Sequence, residues 1–254
     1  MSERRLEKSI ELDATPEQVW AAIATGPGIS TWFVPTQLEP REGGETTQDF
    51  GGGYTDTGRV LHYEPGRRIV LGAGQAAAAE GPQHAFEFLV EARDGGSTVL
   101  RFVQSGFDDD VDGWENEYTS LDKGWDLFFG NLRSYFAHFA GQPVGNVVAM
   151  VFAAGRAADA WPVLHRALGL SGRPALGAEV VLGGPQKVVG VVDVATDEFL
   201  GVRSDTALFR FGAEGADGCG ISAYHYFYGD PVDAPALTEA WQTWLSDLFP
   251  TADQ

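Results

Sequence analysis

The stretch EYTSLDKGWDLFFGNLRSYFAHF, residues 117–139, decides the reading of this chain. Tyr118, Leu121, Trp125, Phe128, Leu132, Tyr135 and Phe139 recur at steps of three and four. That spacing places them in one apolar stripe on a helix of about six turns at roughly 3.6 residues per turn. A helix this aromatic needs a large concave partner, and a curved antiparallel sheet supplies one. Such a pairing often encloses a cavity, so the pattern predicts a container and is silent on its contents.

Upstream, Leu6–Leu12 alternates apolar and polar side chains as a half-buried strand does. Thr15 then reads as an N-cap, with Pro16 at the first helical position and Gln18 completing a capping box. Val19, Trp20 and Ile23 form that helix's apolar face, Gly26-Pro27-Gly28 reads as its end, and a short second helix carries Ile29, Trp32 and Phe33. Strands are expected at Thr36–Pro40, Glu45–Phe50, Thr57–Glu64, Arg68–Leu71, His84–Arg93 and Ser97–Gln104. Turn signals separate them at Pro65-Gly66 and at Asp94-Gly95-Gly96, with a flexible Gly51-Gly52-Gly53 after the second strand. Gly72–Pro82 reads as a loose loop and Asp108–Asp112 as a solvated acidic one, since its spacing does not fit a calcium loop.

Gly141–Gly145 reads as a linker, after which a similar order recurs. A strand at Val147–Phe152 precedes a helix at Ala157–Leu168 with Trp161, Leu164 and Leu168 on one side. Strands follow at Ala178–Leu182, Lys187–Val194, Phe199–Arg203, Thr206–Phe211 and Ile221–Tyr228, and Pro235–Phe249 is a closing helix. The repeat lies in pattern rather than identity, and it predicts two related modules, at 1–141 and 146–254, the second reduced.

The formal net charge of -19 repels nucleic acid and anionic membrane unless a local basic patch exists, and Arg4-Arg5 and Arg67-Arg68 are only isolated pairs. The scarcity of lysine beside abundant Gly and Ala reads as coding bias in a GC-rich bacterium. Cys219 is the only cysteine, which excludes an internal disulfide and a cysteine-based metal site. The N-terminus lacks an apolar signal core and no run of about 18 apolar residues occurs, so a cytoplasmic location without a membrane span is expected.

The first half also resembles a known superfamily. The residues that carry the resemblance are Ala14-Thr15-Pro16-Glu17-Gln18-Val19-Trp20-Ala21-Ala22-Ile23, Trp32-Phe33, Glu64-Pro65-Gly66-Arg67-Arg68-Ile69, Val103-Gln104-Ser105-Gly106-Phe107 and Gly124-Trp125. In order and spacing, roughly residues 4–140 resemble the START-like, helix-grip (SRPBCC) superfamily. The branch is the group similar to the C-terminal domain of the activator of the heat-shock-protein-ninety ATPase. The resemblance implies an α+β fold in which a curved antiparallel sheet grips a long C-terminal helix around an apolar cavity. It further implies binding of a hydrophobic or amphipathic small molecule, or a regulatory protein contact, and some relatives are polyketide cyclases or aromatases.

Candidate cavity walls are Trp32, Phe33, Phe50, Tyr54, Phe86, Phe88, Phe102, Trp125, Phe128 and Phe129, which could equally pack a filled core. His62 and His84 lie on predicted strands and could point inward as acid or base, or be structural. Arg59 and Arg101 could anchor a carboxylate or polarise a carbonyl; the plainer reading is a cross-strand ion pair such as Arg101 with Glu87. Tyr224, Tyr226 and Tyr228 share one strand face, with His225 and Phe227 on the other, and His165 reads as a surface or edge residue. There is no phosphate loop, no Gly-x-Ser-x-Gly elbow, no His-x-x-x-His pair and no dinucleotide fingerprint. No cofactor or metal is expected. The leading expectation is a non-enzymatic binder of a hydrophobic small molecule. The alternatives are a cyclase/aromatase-type enzyme and a chaperone-associated interaction module, with a homodimer or protein partner possible.

Overall fold

The computed structural model describes residues 5–72, 85–93, 96–106, 114–215 and 218–250. His84, the acidic run 108–112, most of the Gly72–Pro82 loop and the Asp94-Gly95 part of the hairpin turn lie outside the described residues.

The first unit comprises Met1–Asp49 and Thr55–Ala140. Its elements are β1 (Leu6–Leu12), α1 (Pro16–Ile23), α2 (Gly26–Ser30), β2 (Thr36–Leu38), β3 (Glu45–Asp49), β4 (Thr55–Glu64), β5 (Arg68–Gly72), β6 (Ala85–Ala92), β7 (Thr98–Ser105) and α3 (Trp114–His138). The capping box forms as the sequence predicts: Gln18 N–H donates to Thr15 Oγ1 at 3.3 Å, and Thr15 N–H to Gln18 Oε1 at 2.9 Å. Gly26-Pro27-Gly28 does not end the first helix; it is the first turn of α2. Thr25 caps that turn by accepting from Gly28 N–H, and a Cβ at Gly28 would lie 1.9 Å from Ala21 O. Trp32 and Phe33 therefore follow α2 rather than ride on it.

The seven strands are antiparallel in the order β1-β7-β6-β5-β4-β3-β2, so the first strand closes against the last. Leu6, Ile10 and Leu12 on β1, Leu100 and Phe102 on β7, Phe86, Phe88 and Val90 on β6, and Ile69 and Leu71 on β5 fall in register on one face. Helix α3 buries Trp125, Leu132 and Tyr135 of the expected stripe, Phe139 just beyond its end is buried too, and the buried arc widens to include Leu127, Phe129 and Asn131. Its Tyr118, Leu121 and Phe128 are only half-buried.

The second unit comprises Gly141–Gln254 together with Phe50–Tyr54, which falls outside the first unit where the sequence placed it. Its elements are β8 (Val144–Ala153), α4 (Ala157–Ala167), β9 (Glu179–Leu182), β10 (Val188–Ala195), β11 (Phe199–Arg203), β12 (Ala207–Glu214), β13 (Cys219–Tyr228) and α5 (Ala234–Leu248). The sheet runs β8-β13-β12-β11-β10-β9. This is the same closure of first strand on last, with one helix after the opening strand and one at the end. The chain is thus α+β, with two tandem helix-grip modules, the second one strand and one helix shorter.

Trp161, Leu164 and Leu168, from α4 and its C-cap, and Trp241 and Leu245 of α5 bury one face of this sheet with Val147, Ala149, Phe209 and Phe211. Gln242 on α5 guards the open edge of β8: its amide accepts from Met150 N–H at 3.0 Å and donates to Met150 O at 2.9 Å. Gly51, Gly52 and Gly53 all take positive φ, and a Cβ at Gly51 would stand 2.7 Å from Val148 O.

Candidate functional site

In the first unit the inward positions of β6 and β7 meet the inner side of α3 in an aromatic cluster with Trp125 at its hub. The Trp125 ring lies 4.1 Å from Phe102, 5.4 Å from each of Phe33, Phe86 and Phe129, 6.2 Å from Phe128 and 6.4 Å from Phe88, between centroids. Phe33 stacks on it with an interplanar angle of 7°. Trp32 stacks on Phe129 at 5.8 Å and meets Phe88 edge-on. Such offset and edge contacts add to what burial alone contributes.

The polar atoms inside this cluster are paired. Trp125 Nε1–H donates to Gln104 Oε1 at 2.7 Å and Trp32 Nε1–H to Ala22 O at 2.9 Å. The Asn131 side chain donates to Trp32 O at 3.3 Å. Phe86 and Phe128 are half-buried whereas Trp32, Phe33, Phe88, Phe102, Trp125 and Phe129 are buried, so those two rings are where solvent reaches the cluster.

Eight of the eleven candidate residues are therefore brought together: Trp32, Phe33, Phe86, Phe88, Phe102, Trp125, Phe128 and Phe129. Three are not. Phe50 and Tyr54 pack ring to ring at 5.7 Å in the second unit, and Tyr54 is 58% exposed. His62 follows a bulge at Leu61 that resets strand parity: Val60 pairs with Leu71 and Tyr63 with Ile69 on the inner face, which turns His62 with Val70 to the other. Its Nε2 is 4.0 Å from Glu64 Oε2.

The arginine candidates also face elsewhere. Arg59 donates to Gly43 O at 3.2 Å and lies 3.6 Å from Glu45. Arg101 pairs with Glu91 at 2.8 Å, not with Glu87 as the sequence reading had it; Glu87 is taken by Arg68 at 2.6 Å. The register explains this, because Arg101 stands opposite Leu89, with Glu87 and Glu91 as its two diagonal neighbours.

Sequence reasoning missed Gln104, Asn131 and Lys8. The signal for Gln104 was the alternation Leu100, Phe102, Gln104, and for Lys8 the alternation Leu6, Lys8, Ile10, Leu12. Lys8 Nζ reaches Asp122 at 2.7 Å and Asp126 at 2.6 Å, tying β1 to α3. Burial depresses its ammonium, but the hydrogen bonds and charges of the two aspartates outweigh that and hold it above the ordinary lysine value.

In the second unit Tyr226 and Tyr228 are buried, and Tyr224 Oη donates to Phe50 O at 2.7 Å. On the same face Arg210, 2% exposed, grips Asp193 through both oxygens at 2.8 and 2.9 Å. His165 is not a surface residue. It is buried 5.2 Å from the Trp161 ring because α4 packs a wide arc, and burial lowers its pKa. His225, on the helix side of β13, is fully buried among Phe209, Phe211 and Trp241, and that burial pushes its pKa down to about 3. Burial pushes the Cys219 thiol up, away from the reactive thiolate. Among the described residues no group of three His, Cys, Asp or Glu could hold a metal ion, and no helix is long and apolar enough to cross a membrane.

No curated protein matches the sequence. Among solved structures, the chain is similar to the di-domain ARO/CYC BexL from the BE-7585A biosynthetic pathway, at 14% identity over 98% of this chain and 100% of that one, TM-score 0.47. It is similar to DynU16, described as a putative protein in the dynemicin biosynthetic locus, at 17% identity over 98% and 96%, TM-score 0.46. It is also similar to the Aha1 dimer from Colwellia psychrerythraea, at 18% identity over 52% and 96%, TM-score 0.43. Residues 13–137 match the model of the activator of Hsp90 ATPase homolog 1-like proteins. With the β1-to-β7 closure around α3, that match makes the first unit of this chain a member of the activator of Hsp90 ATPase homolog 1-like family, within the START-like helix-grip superfamily.

Proposed function

We propose that the chain is a non-enzymatic, cytoplasmic binder of a hydrophobic or amphipathic aromatic small molecule, taken between the sheet and the long helix of its first module. One observation carries the reading: the Trp125 cluster is open to solvent at Phe86 and Phe128, two rings that meet Trp125 edge-on. A flat guest that displaces or stacks on Phe86 and Phe128 gains ring contact with Trp125 without leaving a buried polar group unpaired. A cyclase or aromatase would need polar side chains converging on the same cavity, whereas Arg59 and Arg101 pair with Glu45 and Glu91 and His62 faces the other side of the sheet. The second module is a reduced copy of the first, and a homodimer is compatible with this reading without being required by it.

The test is a thermal-shift panel of fatty acids, flavonoids and aromatic polyketides, with native mass spectrometry of the purified chain. A rise of several degrees with the aromatic members, abolished by Trp125→Leu, supports the reading. No shift and no co-purifying mass overturn it.

A further inference from the structure

The two modules can be aligned rung by rung. Leu6 in β1 stands ten residues before Pro16, the first residue of α1, and Val147 in β8 stands ten before Ala157, the first residue of α4. Leu6 pairs with Gln104 on the last strand of its sheet, and Val147 pairs with His225 on the last strand of its own. Gln104 and His225 thus hold the same position, and each faces a tryptophan of the closing helix, Trp125 in one case and Trp241 in the other.

The chemistry at that position differs. In the first module a donor meets an acceptor, indole N–H to amide oxygen at 2.7 Å. In the second, His225 Nδ1 accepts the backbone N–H of Arg210 at 3.3 Å, which leaves the proton of the neutral ring on Nε2. Two donors, His225 Nε2–H and Trp241 Nε1–H, then sit in rings 4.5 Å apart, both residues wholly buried, and neither atom has a hydrogen-bond partner among the described residues. Trp161 Nε1 and His165 Nε2 on α4, at the edge of the same core, are unpartnered too. A buried polar group without a partner is costly and calls for an acceptor.

We infer that the interior of the second module, at His225 and Trp241, binds an uncharged apolar molecule bearing a carbonyl oxygen, which accepts from both N–H groups. A carboxylate is the wrong guest: Arg210 is the only buried Arg or Lys among the described residues, and it lies on the opposite face in its pair with Asp193. An unpaired charge would be prohibitively placed there. The apolar walls are Phe209, Phe211 and Trp241, and the outer edge of the Trp241 ring is covered by Gly184, an exposed glycine with φ +121 whose added Cβ would meet that ring at 3.0 Å. The inference does not rest on the function proposed for the Trp125 cluster.

Acetophenone and ethylbenzene test it, being nearly the same shape with and without the carbonyl. The full chain, labelled with 15N-tryptophan, is titrated with each, and the Trp241 indole cross-peak is assigned by its loss in Trp241→Phe. Acetophenone is expected to move that peak downfield saturably and to bind at least tenfold more tightly than ethylbenzene. His225→Phe is expected to remove most of the difference, and Trp125→Phe to leave it intact. Equal binding of the two probes overturns the inference, as does a Trp241 peak unmoved by acetophenone. So does a long-lived water cross-relaxing with that indole that acetophenone fails to displace. If the Trp125 peak alone responds, the second-module site falls while the first-module reading stands.

Discussion

The Trp125–Gln104 hydrogen bond offers the sharpest test of how the first module's interior is held. Trp125→Phe keeps an aromatic ring at the hub but removes the indole N–H. It leaves the Gln104 side chain, 2% exposed, without its donor, at a cost of about 1–3 kcal/mol for the unpaired buried group. The smaller ring also gives up contacts to six neighbouring aromatics, adding roughly 1–2 kcal/mol of lost packing. Gln104→Leu alone strands the indole N–H and costs about 1–3 kcal/mol for the same reason. The double variant leaves nothing unpaired, so it is expected to be more stable than the sum of the two losses by about 1–3 kcal/mol. Urea unfolding with native-state hydrogen exchange in α3 measures all four corners of the cycle. Losses that add within about 0.5 kcal/mol would mean that the pair is not coupled, and the account of a donor-to-acceptor pair at the hub would be refuted.

Gln242→Ala is expected to open the edge of β8: the Met150 amide should lose protection from hydrogen exchange, with a stability loss of about 1–2 kcal/mol. Lys8→Met is expected to cost about 1 kcal/mol or less, since Asp122 and Asp126 stand partly in solvent. Because the Lys8 pKa is raised in the folded state, its contribution is fully present below the ordinary 10.5 and should disappear as pH rises above it, which an alkaline unfolding series reads directly. His225 behaves oppositely: its folded pKa is depressed to about 3, so the unfolded chain takes up the proton first, and stability should fall as pH drops below about 6.5. The slope is about 1.4 kcal/mol per pH unit, and His225→Phe should flatten the difference in urea stability between pH 6 and pH 4. An acid limb unchanged in that variant would show that His225 is not a buried neutral ring.

Element order was legible because period and punctuation carry it. Leu6–Leu12 and Phe199–Arg203 were read with the bounds they have, and the long helix was displaced by only a few residues. What sequence did not resolve was parity after an irregularity and the chemistry of turns rich in glycine. The bulge at Leu61 reverses the facing of His62, and no pattern in Arg59–Tyr63 announces an extra residue. Gly26-Pro27-Gly28 looks like a break, yet with Thr25 as its cap it starts a helix, because Pro suits a first turn and Gly28 must approach Ala21 O. The aromatic part of the candidate site was visible because Phe86, Phe88 and Phe102 obey the period of two and Trp125 and Phe128 that of a helix. Phe50 and Tyr54 were misplaced because β3 ends at Asp49, and the turn through Gly51, Gly52 and Gly53 belongs to the second unit.

The duplicated topology turns the comparison of Gln104 with His225 into an argument about function. Equivalent rungs of equivalent sheets receive the same tryptophan from the closing helix, so the backbone and the indole are held nearly constant while the facing side chain changes. With Gln104 the interior is complete by itself: its donor has its acceptor, and the aromatic rings around it touch one another. With His225 the interior holds two donors, and a residue chosen only for packing would be a Phe or Leu, which fills that space without an unpaired N–H. His225 thus costs the second module stability that its apolar neighbours do not require. The cost is recovered when an acceptor bridges the two rings, and mass action then links the stability of the second module to the concentration of that guest. In the first module a guest can only add ring contacts at the Phe86 and Phe128 rim. In the second it completes a hydrogen-bond pair, so of the two interiors the second is the one that distinguishes a carbonyl from a hydrocarbon.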